Sequence, residues 1–149
     1  MDAFEHTDKP TPMTDAQKFF FDLRGWIILP EVISDQDEIN RLKEEVYNGA
    51  TNCYQGRLQT LLDHPEVVGI LAEILSEESF MHDDCYSFRC ESSFTTVRPP
   101  GWSSEERNGT GLPHVVRPPQ QANAMRYQAA GGKIFSGLTR VVWELEEVR

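Results

Sequence analysis

Apolar residues recur three and four positions apart through roughly the first half of the chain, and beyond Phe80 the period shortens to two. In the first regime, Thr14-Asp15-Ala16-Gln17 has capping-box spacing, with a hydroxyl at the cap and an amide three residues on. It opens DAQKFFFDLR, which Gly25 stops, and predicts a helix over 15–24. WIILP follows and reads as a strand, its Pro30 suiting a strand end better than a middle. Ser34 then begins a second helix over 35–48, with Ile39, Leu42 and Val46 on one face and Gly49 as terminator. NCYQGRLQTLLDH is ambiguous and has room for a short helical turn. Pro65 fits the first turn of a third helix over 65–76, whose Val67, Val68, Leu71 and Leu75 form a stripe to be buried.

In the second regime, YSFRCESSFTTVRPP is rich in aromatic and β-branched residues and predicts a strand over 85–97, halted by Pro99 and Pro100. His114-Val115-Val116 reads as extended and is ended by a second proline pair. Gly131-Gly132 turns the chain into a strand over 133–146. On it Thr139, Val141, Trp143 and Leu145 share one face, and Arg140, Val142 and Glu144 the other. Helices lead, strands follow and no repeat is visible. The order is that of an α+β domain with helices packed on a sheet. Residues 1–14 are polar with two prolines and read as a flexible tail before a single domain over 15–149. No turn chemistry follows the closing strand, and nothing evident pairs its far edge. Bare edges self-associate, so the chain reads as an incomplete piece with self-association through that edge as the attendant expectation.

Composition narrows the function classes. A length of 149 residues suits one domain with a real core. A net charge of -10 supplies no basic face for phosphates, which argues against a nucleic-acid partner and against an anionic membrane surface. Cys53, Cys85 and Cys90 form an odd set without C-x-x-C spacing, pointing to reduced thiols in a cytoplasmic setting. The acidic start MDAFEHTDKPTPM has no apolar core of a secretory signal, and no apolar run reaches spanning length. The Asn108-Gly109-Thr110 sequon is then a chance match.

His114 is the residue that raises a chemical question. It stands in GTGLPHVVRPP, between apolar runs, where an imidazole is poor packing material. Two readings are open: an ordinary loop histidine, or a metal ligand at an altered site. His82-Asp83-Asp84 also spells a His-x-Asp pair, but the chain between it and His114 is too short for the strands that would separate two ligands of one roll. The pair therefore reads as a polar strand start. His64 before Pro65 is a helix-entry residue, His6 lies in the tail, and Arg98 before two prolines is a solvated loop cation.

HPEVVGILAEIL, then a strand ending in VRPPG, then GLPH, then GLTRVVWELEEV follow one another in an order that resembles the phytanoyl-CoA dioxygenase family. The resemblance runs from about Asp15 and is best from Phe80 to Val148. It implies a double-stranded β-helix, or jelly roll, behind a helical layer. It also implies an iron(II), 2-oxoglutarate-dependent oxygenase that hydroxylates a small organic substrate. Such a centre holds iron with two histidines and one carboxylate, leaving positions open for 2-oxoglutarate and oxygen. By resemblance His114 falls on the first iron histidine, Trp143 on an aromatic position against 2-oxoglutarate, and Phe94 on the wall of the same pocket.

The departures matter as much. The usual His-x-Asp becomes His114-Val115-Val116, so the carboxylate is absent. In relatives with a small residue there, halide takes the vacated place, and valine leaves little room for it. The second histidine and the cosubstrate arginine belong after the Trp143 strand, where this sequence ends. The expectation is an incomplete or inactive copy of an oxygenase, and the alternative is a non-catalytic jelly-roll binding module.

Overall fold

The computed structural model describes residues 10–75, 88–97 and 126–147. Helix α1 spans Asp15–Arg24 and begins as its capping box dictates. The Thr14 amide donates to Gln17 Oε1 at 2.8 Å, and the Gln17 amide donates back to Thr14 Oγ1 at 3.2 Å. Gly25 ends it at φ 77°, a left-handed conformation in which its N–H reaches the Phe21 carbonyl at 2.8 Å. Helix α2 spans Gln36–Tyr47 and is capped by Asp35, whose carboxylate accepts from the Asp37 amide at 2.9 Å. A short 3-10 helix, Gly56–Leu61, occupies the stretch with room for a helical turn. Helix α3, Pro65–Leu75, starts on its proline.

These elements build two apolar clusters. In the first, Met13, Phe21, Ile70 and Ile74 are buried, with Ile27, Leu29, Leu75 and Ile134 packed against them. In the second, Leu42, Leu58 and Leu61 are buried, flanked by Ile33, Val46, Cys53, Trp143 and Leu145 among others. The α2 stripe meets expectation, with Leu42 wholly buried and Ile39 and Val46 half-buried. The α3 stripe is rotated: Val67, Val68, Ile70 and Ile74 are buried, while Leu71 and Leu75 are half-buried.

The rotation has a cause in the chain preceding α1. Residues 11–13, assigned by composition to a flexible tail, lie along α3. The Thr11 amide donates to the Pro65 carbonyl at 3.1 Å, the Met13 amide donates to the Glu73 carboxylate, and the Met13 side chain is buried. Lys18 of α1 reaches the same carboxylate at 2.6 Å. Thr11 passes so close to Gly69 that a Cβ there would stand 1.9 Å from its carbonyl oxygen. That side of α3 is therefore covered by backbone, and the helix turns the Ile70–Ile74 row into the core.

The regular sheet among the described residues is a two-stranded antiparallel hairpin. Strand β1, Tyr127–Ala130, pairs with β2, Lys133–Ser136, with Ala130 opposite Lys133. Gly131 and Gly132 take φ 60° and 77°, the double positive φ that a two-residue hairpin turn needs. The fold is thus α+β. Three strand expectations are corrected. WIILP forms no strand, although Ile27 and Leu29 still turn inward and Trp26 and Ile28 outward. Residues 88–97, the described part of the strand expected over 85–97, carry no strand ladder, and of 133–146 only the first four residues are strand. In their place Tyr127–Ala130, an element without strong alternation, pairs because the Gly-Gly turn folds it back on β2. Alternation fixes which side chain faces which way, and a strand further requires a neighbouring backbone. Among the described residues no helix is long and apolar enough to cross a membrane.

The Gly69 contact yields a measurable expectation. Gly69→Ala forces backbone apart and is expected to lower stability by about 1–3 kcal/mol, as overpacking does. Urea denaturation checks it, and an unchanged midpoint would show that residues 11–13 do not pack on α3 in solution.

Candidate functional site

Trp143 lies on the irregular chain after β2, seven residues past Ser136. Its ring meets His64 edge-on, with centroids 5.6 Å apart and planes at 63°, and it joins the cluster of Leu42, Leu58 and Leu61. Leu145 enters the same cluster and Thr139 is partly covered, but Val141, expected on the same face, is exposed, so the alternation holds only in part. Glu146 fastens the segment to α2. It accepts a hydrogen bond from the Tyr47 hydroxyl at 2.9 Å and pairs with Lys43 at 3.2 Å. The Tyr47 bond first, then Lys43, holds the Glu146 carboxyl below the usual carboxylate range, and the same bond pushes the Tyr47 phenol up.

Phe94 is placed differently. Its neighbours Ser93 and Thr95 face the loop after α2: the Cys53 amide donates to Ser93 Oγ at 2.8 Å, and the Thr95 amide donates to the Thr51 carbonyl at 2.9 Å. Tyr54 extends this seam by donating to Cys90 Sγ at 3.3 Å, a bond that heads the causes raising its phenol. With both neighbours turned to the loop, Phe94 points away from it and is 64% exposed. His114, Val116, His82, Asp84 and Arg98 lie outside the described residues. Among the described residues no three His, Cys, Asp or Glu side chains are grouped to hold a metal ion.

A polar groove that sequence reasoning did not single out opens beside α2. It has a volume of about 430 Å³, and its walls include Asp35, Glu38, Arg41, Arg57, Thr60 and His64, with Val32, Ile33 and Leu61 as apolar lining. Arg57 grips Glu38 in a fork. Its Nε donates to the two carboxylate oxygens at 2.6 and 2.7 Å, and Nη2 lies 2.6 Å from Oε2. That hydrogen bonding is the main cause raising the Arg57 pKa, and Arg41 stands 3.8 Å from the same carboxylate. Gly56 lets a second carboxylate of α2 close in on the 3-10 helix: a Cβ there would fall 2.4 Å from Glu45 Oε2, and the Arg57 amide donates to Glu45 Oε1 at 3.4 Å. One sequence signal was available. Glu38 sits one helical turn before Leu42, beside the buried stripe, where an acid calls for a partner. Arg57 itself, nineteen residues on, carried no local signal.

The groove gathers two carboxylates and two guanidinium groups, of which Glu38 and Arg57 are paired with each other. Its walls hold neither Trp143 nor Phe94, although Trp143 packs directly behind two of them, His64 and Leu61. No family model matches the chain, no curated protein is similar enough to count as a match, and no solved structure matches its fold.

The Glu146 anchor predicts a pH response. Its folded-state pKa is depressed, so its contribution is fully present above the ordinary carboxylate value and is lost as pH falls through the lower folded value. With Trp26 and Trp102 replaced by Phe, Trp143 emission is expected to shift to the red below that value. In Glu146→Gln the shift is expected to be smaller. Identical titrations of the two proteins would show that Glu146 does not fasten this segment.

Proposed function

We propose that the chain is an iron(II)/2-oxoglutarate oxygenase-like protein of the phytanoyl-CoA dioxygenase type, a catalytically inactive copy of an enzyme that hydroxylates a small organic substrate. The observation that carries this reading is the ordered series HPEVVGILAEIL, VRPPG, GLPH and GLTRVVWELEEV. Support comes from the architecture in outline, with helices first, a β-hairpin after them, and Trp143 turned inward from the last segment. A jelly roll behind these helices is part of the proposal.

Inactivity follows from the donor set. At the positions that match the iron ligands, His114 offers an imidazole and Val116 offers no donor atom. Val116 removes the one anionic ligand of the set, and affinity for a divalent ion comes from several ligands placed together. His114 and Val116 as a pair therefore do not fit iron(II) in the family's manner.

A second reading, a non-catalytic binding module on the same fold, is favoured by one observation. Trp143 is committed to His64 and the leucine cluster while Phe94 stands exposed, so the two side chains do not line one cofactor pocket. The groove at Glu38 and Arg57 is then the place for a small polar ligand.

Anaerobic calorimetric titration with iron(II), followed by a succinate-release assay with 2-oxoglutarate, separates activity from its absence. No micromolar iron binding and no succinate are expected of the 149-residue chain. Stoichiometric binding with turnover would overturn the inactive reading and make His82 and Asp84 the first ligands to replace. A crystal structure with His114 on the opposite side of a sheet from Trp143 would overturn the family reading itself.

A further inference from the structure

We draw no further inference here: the strongest candidate, the exposed apolar face of α1 formed by Phe19, Phe20 and Leu23 with Trp26 beyond it, carries nothing because nothing in the structure shows what covers it.

Discussion

Trp143 and Leu145 packing on Leu42, Leu58 and Leu61 is the contact on which the rest of the arrangement depends. It joins the end of the chain to a helical unit about a hundred residues earlier. Without it, α2 and the 3-10 helix enclose a cluster of three buried leucines, and burial of each contributes about 1.5–3 kcal/mol. A cluster that small scarcely offsets the entropy of ordering its own backbone. A tryptophan and a leucine brought in from elsewhere change that balance, because one aromatic side chain removes about 150–250 Å² from water. The first cluster is closed by the same logic, with Ile134 of β2 laid against Phe21, Ile70 and Ile74. Both clusters thus take a covering residue from the segment 126–147.

The polar contacts set register more than they add stability. Glu146 meets Tyr47 and Lys43 at the protein surface, where such pairs are weak, yet they fix which residues of the last segment face α2. Tyr127 does the same for the hairpin. Loss of water around its hydroxyl, then the bond to Asp22, pushes the phenol up to about 12, and its ring lies 6.5 Å from Phe21. Glu38 and Arg57 differ in kind. Their forked pair is partly sheltered, 33% exposed at Arg57 and 19% at Glu38, and it is held by three short contacts where the Glu146 carboxylate makes two longer ones. That pair ties the 3-10 helix to α2 and at the same time shapes the groove.

What the sequence made legible follows from the range of the interactions involved. Helices were readable because their signals are local: the capping box at Thr14, the stop at Gly25, the proline at 65 and the spacing through Leu42 all act within a turn or two. The inward turn of Trp143 and Leu145 was readable for the same reason, whereas Val141, expected on the same face, is exposed. Strand pairing was not, because YQAA has little alternation and its partnership is decided by two glycines and by β2. Residues 11–13 look like a tail in composition, yet a glycine in α3 and the Glu73 carboxylate bring them into the core. Of the candidate site, Trp143 was found as an inward residue, Phe94 faces outward, and the Glu38–Arg57 pair spans a separation no local pattern encodes.

The claim that Trp143 closes the α2 cluster is tested most directly by hydrogen–deuterium exchange on Trp143→Ala. Faster exchange is predicted across α2 and Gly56–Leu61, with the amides of α1 and the second half of α3, which belong to the other cluster, little changed. Equal exchange in the variant and the parent across α2 would contradict the account, and would mean that the three leucines hold that unit without the distant segment.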